Sequence, residues 1–266
     1  MLKITSRENQ RVIRARKVRD SLVKGAIFVE GVRLAEEILR SNLKISDVFF
    51  TEDFANSERG QEFLQHLEFS NLAQIPDKIF DSLSDTKNSQ GVILIGEKPA
   101  TDKSFIEAKL SRNQKFQMVV LLHKTNNPTN LGAILRTCEA ANVAGVILTK
   151  GSADAFSPKA LRGAMGASFR LPIWTDADFF EVLDWAEEKN LISICADVNA
   201  EKSYLDIDWR EPYLLIFGSE AHGLTRKERE RVAENLIIPM ENGVESLNLA
   251  VSTGVILFEA KRQNNC

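Results

Sequence analysis

The chain has 266 residues, 44% of them hydrophobic and 27% charged, which fits one large or two ordinary globular domains and excludes a disordered chain. No apolar run approaches the ~20 residues of a membrane-crossing helix, and the first residues lack the apolar stretch of a secretory leader. Three scattered cysteines (Cys138, Cys195, Cys266) without a CxxC pair argue against a disulfide framework or a structural zinc, and the net charge of −3 against indiscriminate nucleic-acid binding, so a cytoplasmic protein with no membrane and no metal partner is expected.

In chain order, residues 1–97 read as a small α/β domain. Ser6 is expected to cap a basic helix reaching residue 21. A short strand follows over 26–29, and Gly31 breaks the chain before a helix over 32–39, with Leu34, Ile38 and Leu39 on one face. Further elements are a strand over 45–50, helices over 61–67 and 77–83, and a strand over 92–96. The polar stretch that begins at 98 and carries Pro99 is taken as a linker, 98–115. From 116 to 266 the pattern alternates. Near-continuous apolar runs predict strands at 118–122, 145–148, 192–196, 213–217 and 236–238, of the kind covered on both faces. Helical patterns separate them at 131–141, 158–164, 179–189 and 225–232, and a last helix is expected over 246–262 with Leu247, Val251, Val255 and Phe258 on one side. Alternation of this kind implies a parallel α/β sheet flanked by helices.

Charge is unevenly spread. Residues 1–44 contain eleven Lys or Arg and five Asp or Glu, an excess of six positive charges. Such a cluster can neutralise backbone phosphates and release counterions, or it can be a solvated helix face.

Three segments of the second half sit where an apolar run gives way to a turn: 127–136 (Asn-Pro-Thr-Asn-Leu-Gly-Ala-Ile-Leu-Arg), 217–224 (Phe-Gly-Ser-Glu-Ala-His-Gly-Leu) and 238–252 (Ile-Pro-Met-Glu-Asn-Gly-Val-Glu-Ser-Leu-Asn-Leu-Ala-Val-Ser). In open parallel sheets, ligands bind outside the carboxyl ends of the strands, which is where these segments start. In the first, Asn130 is expected to cap the helix, and Arg136 lies less than two turns further on. In the second, Gly218 and Gly223 let backbone approach a ligand, and Glu220 is placed to accept hydrogen bonds from that ligand or to hold Arg136. In the third, Met240 and Leu247 are suited to flank a flat aromatic group, while Ser246 and Asn248 offer neutral hydrogen-bond groups. The chain has no GxGxxG, no P-loop and no GxSxG. His66, His123 and His222 show no metal or triad spacing, His222 reads as solvent-facing, and His123 as polar lining past a strand end.

Together and in this order, the three segments resemble the motifs of the SpoU (TrmH-like) RNA 2′-O-ribose methyltransferases of the SPOUT superfamily. Residues 3–96 resemble the family's N-terminal substrate-binding domain through Ile4-Thr5-Ser6 with Asn9 and Phe28-Val29-Glu30-Gly31 with Arg33-Leu34. The resemblance implies a C-terminal parallel sheet threaded into a trefoil knot, a small ribosomal-protein-like RNA-binding domain before it, S-adenosylmethionine as cofactor and a homodimer through the last helix. It implies catalytic roles for Arg136, Asn130, Glu220, Ser246 and Asn248. Arg136 would orient the ribose hydroxyl and stabilise charge, since a guanidinium with pKa above 12 is a poor base. Phe217, Gly218, Ile238, Met240 and Leu247 fall at cofactor-binding positions. Arg7, Arg33, Lys159 and Arg162 are expected to bind RNA, the latter two because Ser157-Pro158-Lys159 with Arg162, Gly163, Gly166 and Arg170 is similar to a family segment near the substrate. Asn127 stands where Asp is frequent in the family, and Asn makes the same turn. The expected target is rRNA. A tRNA ribose methyltransferase, a base-methylating relative and a non-catalytic RNA-binding assembly factor remain alternatives.

Overall fold

The computed structural model describes residues 2–67, 71–112 and 115–264. The first elements are β1 (Leu2–Lys3), α1 (Gln10–Arg19), β2 (Ala26–Glu30), α2 (Val32–Arg40), β3 (Ile45–Phe50), α3 (Glu52–Asn56), α4 (Glu58–Gln65), β4 (Leu72–Gln74), α5 (Asp77–Leu83) and β5 (Val92–Glu97). Next come α6 (Lys103–Arg112), β6 (Met118–Leu122), α7 (Pro128–Ala141), β7 (Gly145–Thr149), α8 (Pro158–Ala164), α9 (Ala167–Arg170), β8 (Ile173–Ala177) and α10 (Phe179–Glu188). The chain ends with β9 (Ile192–Ala196), a 3-10 turn at Tyr204–Asp206, β10 (Tyr213–Phe217), α11 (Arg226–Arg229), β11 (Glu234–Leu236) and α12 (Leu249–Asn264). Two units result: Met1–Ala100 with Phe156–Phe169, and Thr101–Ala155 with Arg170–Cys266.

The first unit is built on a five-stranded sheet in the order β1-β4-β3-β5-β2, in which β5 runs antiparallel to both β2 and β3. Val12, Ala15 and Val18 of α1 and Ile79, Phe80 and Leu83 of α5 pack on Phe28, Phe49, Ile93 and Ile95 of the sheet. α1 starts at Asn9, not at Ser6. The Asn9 side chain accepts from Arg11 N at 2.9 Å, whereas Ser6 Oγ accepts from Glu8 N at 3.1 Å in a turn of its own.

Part of the basic cluster is structural. Arg11 Nε donates to Asp47 Oδ1 at 2.7 Å, and Arg14 Nη1 donates to Asp47 Oδ2 at 2.8 Å. Arg19 holds the Ser82 and Leu83 carbonyls at 3.0 and 3.2 Å, and Arg7 donates to the Lys78 carbonyl at 2.7 Å. Glu30, buried in β2, accepts from Ser84 Oγ, the Asp85 amide and Thr86 Oγ1, and so fixes the loop between α5 and β5. A buried carboxylate with three donors escapes the cost of an unpaired charge.

The second unit carries six strands in the order β11-β9-β10-β6-β7-β8, with every neighbouring pair parallel. Every residue of β6, β7 and β10 is buried, as their unbroken apolar runs demand. At ~1.5–3 kcal/mol per buried Val, Leu or Ile, these three strands dominate the core. The edge strand β8 has no such run. Pro172 precedes it and Asp176 takes a left-handed φ of 57°, which hides it from pattern reading. Of the other unpredicted elements, β1, α3, β4 and α9 span at most five residues each, and α6 is the longer one.

Three boundaries differ from the sequence reading. The stretch expected as a linker, 98–115, contains α6, which lies against β7 and β8 with Ile106 and Leu110 in the core of the second unit. Residues Phe156–Phe169, expected inside the C-terminal domain, cluster with the first unit, where α8 lies against β2 and Arg162 Nη2 pairs with Asp85 Oδ2 at 2.7 Å. The last strand is Glu234–Leu236 where 236–238 was expected. Ile237 is instead hydrogen-bonded to the segment ahead of the 3-10 turn, its N–H donating to the Lys202 carbonyl and its carbonyl accepting from Tyr204 N, both at 2.9 Å.

Candidate active site

Because the strands of the second unit are parallel, the segments that follow β6, β9, β10 and β11 all leave the sheet at its carboxyl edge. The loop after β10 is the tightest of them. Ser219 and Gly223 exchange backbone hydrogen bonds at 3.1 and 2.8 Å, and Ser219 Oγ donates to the Gly223 carbonyl at 3.1 Å. Gly223 takes φ 61°, and Gly218 is pressed against the returning chain. A Cβ on Gly218 would stand 2.5 Å from Gly223 C and 2.8 Å from Leu224 N, both backbone atoms. No other residue type fits there without opening the loop.

The segment after β6 is capped by Asn127, whose side chain accepts from Thr129 N at 2.9 Å and Asn130 N at 3.4 Å. The expectation that Asn130 caps α7 is therefore corrected. With Pro128 at the first helical position, the helix begins three residues earlier than predicted. Asn130 stands in the first turn with its side chain released for other partners. Its Nδ2 donates to Glu220 Oε1 at 2.5 Å, and its Oδ1 accepts from Asn248 Nδ2 at 3.1 Å. The Glu220 carboxylate is held by Asn130, not by Arg136. Asn248 in turn starts α12, its Oδ1 accepting from Ala250 N at 2.9 Å. The last helix thus opens at Leu249, leaving Ser246 and Leu247 in the loop ahead of it. One amide joins all three predicted loops, and the anionic acceptor at one end fixes which way it points.

Beside this chain of hydrogen bonds lies a cavity of about 530 Å3, within the range of small-molecule sites. Its lining contains nine of the ten predicted catalytic and cofactor residues: Asn130, Phe217, Gly218, Glu220, Ile238, Met240, Ser246, Leu247 and Asn248. The tenth, Arg136, is exposed on α7 outside the lining, and among the described residues no hydrogen bond or ion pair holds its guanidinium. Sequence reasoning missed Asp197, Asn199 and Arg229, which also line the cavity. Asp197 and Arg229 form an ion pair at 2.9 Å, and Asp197 Oδ1 accepts from Asn199 N at 2.9 Å. The only available signal was the position of Asp197 one residue beyond a predicted strand.

His222 lines the mouth and is exposed. His123 is buried away from it. Its Nε2 meets Glu228 Oε1 at 3.2 Å, its Nδ1 meets Thr149 Oγ1 at 3.2 Å, and burial pushes its pKa below that of an ordinary histidine. Burial also drives the Cys195 thiol in the cavity wall up to about 12, and Cys138 is raised further, so neither is a thiolate nucleophile. Among the described residues no group of His, Cys, Asp and Glu could hold a metal ion, and no helix is long and apolar enough to cross a membrane.

The four predicted RNA-binding residues lie in the first unit. Arg33 and Lys159 are exposed, Arg7 is tied to the Lys78 carbonyl, and Arg162 is committed to Asp85.

Residues 117–258 match the model of the SpoU rRNA methylase family, and residues 9–94 match an MRM3-like substrate binding domain. The chain belongs to the SpoU rRNA methylase family. It is 31% identical to the mitochondrial rRNA methyltransferase 3A of Danio rerio, over 95% of this chain and 67% of that one. It is 26% identical to the 23S rRNA (guanosine(2553)-2′-O)-methyltransferase RlmP of Bacillus subtilis, over 98% and 100%. Among solved structures, the SpoU methyltransferase AviRb from Streptomyces viridochromogenes in complex with the cofactor AdoMet superimposes with a TM-score of 0.83 at 25% identity, covering 96% of this chain and 98% of that one.

Proposed function

We propose that this SpoU-family protein transfers a methyl group from S-adenosylmethionine to a ribose 2′-hydroxyl of rRNA. The observation that carries the reading is the Glu220–Asn130–Asn248 chain, which gathers three separate loops around one cavity. The residues present fit the cofactor. Phe217, Ile238, Met240 and Leu247 offer an apolar bed for an adenine, and Gly218 leaves backbone where a side chain would block the approach. Glu220 supplies a negative charge suited to a cationic ligand. When bound, S-adenosylmethionine supplies a methyl already activated on a sulfonium, so the protein's task is alignment and the removal of one proton.

Arg136 is the residue we assign to the ribose. Its guanidinium, free of internal partners and outside the cavity lining, is available to orient the 2′-hydroxyl and to stabilise developing negative charge. Ser246 and Asn248 would hold the sugar or the cofactor's polar arm by neutral hydrogen bonds. The first unit would bind the rRNA, with exposed Arg33 and Lys159 as phosphate contacts. Arg7 would contribute beside its backbone tie, and Arg162 only if Asp85 releases it.

The proposal includes a homodimer and a cytoplasmic setting. Val251 and Phe258 project from α12 with 51% and 50% of their surface exposed, and Leu247 just ahead of it is 37% exposed. An apolar stripe of this kind fits a self-complementary interface. Cys138 and Cys195, free and buried, suit a reducing compartment. The threading of the last segments into a trefoil knot belongs to the same reading.

Incubation with rRNA and methyl-labelled S-adenosylmethionine tests the function. Label recovered in alkali-stable dinucleotides marks a 2′-O-methyl ribose. Label in free bases would favour a base methylase, and RNA binding without transfer would favour an assembly factor.

A further inference from the structure

The helix after the glycine loop, α11, is a single turn and cannot hold itself in place. It is anchored at two adjacent residues, by contacts that reach different strands. Glu228 is 8% exposed. Its Oε2 accepts from Thr225 N and Thr225 Oγ1, both at 2.8 Å, and its Oε1 meets the Nε2 of buried His123, one residue beyond β6. The Glu228 carboxylate can only accept, so His123 Nε2–H donates to it, and His123 Nδ1 is left to accept from Thr149 Oγ1, which also accepts from Lys124 N at 3.0 Å. The next residue, Arg229, pairs with Asp197, one residue beyond β9, whose side chain is only 9% exposed. The other oxygen of Asp197 accepts from both the Asn199 amide and the Asn199 side chain, which fixes the carboxylate. Between these anchors and β10 lies the 218–224 loop that walls the cavity.

We propose that Asp197 and Arg229 are positioning residues for cofactor binding. Their ion pair, with Glu228–His123 as the second anchor, holds α11 so that the 218–224 loop keeps its shape against the end of β9 and the cavity is formed before a ligand enters. Preorganisation of this kind adds to affinity by sparing the ordering of a loop on binding. Partly buried charges are a costly way to gain stability alone, and their better-attested use is to fix one register among several. The inference rests on the cavity being the S-adenosylmethionine site.

The test is calorimetric titration of the full-length wild type, Asp197→Asn, Arg229→Gln and the double variant. The ligands are S-adenosylhomocysteine and 5′-methylthioadenosine, which lacks the amino-acid arm. Each single variant should lose about tenfold in affinity for both ligands, the scale of coupling lost when an ion pair is broken. The double variant should lose little more than either single, because the two residues act as one unit. In turnover, KM for S-adenosylmethionine should rise about tenfold, with a far smaller change in kcat. Arg229, 41% exposed at its side chain, tolerates substitution best, so Arg229→Gln carries the test if Asp197→Asn fails to fold. Wild-type affinity in both single variants, or fully additive losses, would overturn the proposal. So would a loss confined to S-adenosylhomocysteine, which would make Arg229 a direct partner of the ligand's carboxylate. If the wild type binds neither ligand, the reading of the cavity itself fails, an outcome separate from these.

Discussion

Gly218→Ala is the sharpest perturbation of the cavity wall. The new methyl carbon would sit 2.5 Å from Gly223 C, 2.7 Å from Gly223 Cα and 2.8 Å from Leu224 N. Ordinary contact begins near 3.4 Å, so backbone on one side of the loop has to retreat by the better part of an ångström. Backbone held by the Ser219–Gly223 bonds cannot yield as a flexible side chain would. Overpacking of this kind costs about 1–3 kcal/mol. If the loop opens to relieve it, that energy appears as lost affinity, about 5- to 150-fold in Kd for S-adenosylmethionine. Gly254→Ala is the matched control. Its Cβ would meet only Thr137 Cγ2, at 3.8 Å, and alanine in a helix is favoured over glycine by up to ~1 kcal/mol. Titration calorimetry with parallel thermal melts separates the two variants. Gly218→Ala should bind weakly while remaining folded, and Gly254→Ala should bind normally with an equal or higher Tm. Wild-type affinity in Gly218→Ala would refute the argument that this backbone approach shapes the site.

Three further outcomes are expected. Asn130→Ala removes both side-chain bonds of the amide and should lower kcat/KM by about 5- to 150-fold, at ~1–3 kcal/mol for the orphaned partners; Asn130→Asp, which sets two carboxylates in contact, should be worse still at pH 8 in the same assay. Val251→Asp combined with Phe258→Asp should convert a dimer to a monomer in light scattering at micromolar concentration, and an unchanged mass would remove α12 from the interface. Burial holds the His123 pKa below the usual 6.5, so below that pH the unfolded chain takes up a proton that the folded chain refuses. Stability should therefore fall as pH drops through 6.5 toward the folded value, by up to ~1.4 kcal/mol per unit. Glu228 has the opposite charge and the same sign of effect. Burial pushes its carboxyl up, but the Thr225 bonds and nearby His123 and Lys124 outweigh this and hold it below the usual 4.5, so its contribution is present above 4.5 and is lost as pH falls further. Denaturant titrations between pH 8 and 4 should show both losses, and His123→Gln should flatten the first.

Strands of the second unit were legible because burial on both faces forces unbroken apolar runs, and Met118–Leu122, Ile192–Ala196 and Tyr213–Phe217 match their predicted bounds. Helix starts were less so. Asn127 and Asn130 are both good caps by type, and only the proline between them, read as the first helical residue, would have chosen Asn127. The α6 helix was hidden because its two buried residues, Ile106 and Leu110, sit in an otherwise polar stretch. Nine residues of the cavity lining were named from sequence because each lies in a motif. Asp197 and Arg229 were not, since an ion pair between residues 32 apart in the chain exists only once β9 and β10 are neighbours. Which of the N-terminal basic residues remain available was hidden for a related reason. Charge counting cannot see that Asp47, on β3, takes up Arg11 and Arg14.

The most direct measurement of the central claim is single-turnover methyl transfer to rRNA by wild type and Arg136→Ala, with S-adenosylmethionine saturating and its affinity measured alongside. The wild type should place alkali-stable label on the RNA. Arg136→Ala should be at least about 100-fold slower, the scale of one lost charge-stabilising donor, with cofactor affinity within about twofold because Arg136 lies outside the cavity lining. Undiminished transfer by Arg136→Ala, or a wild type that places no label on ribose, would contradict that claim.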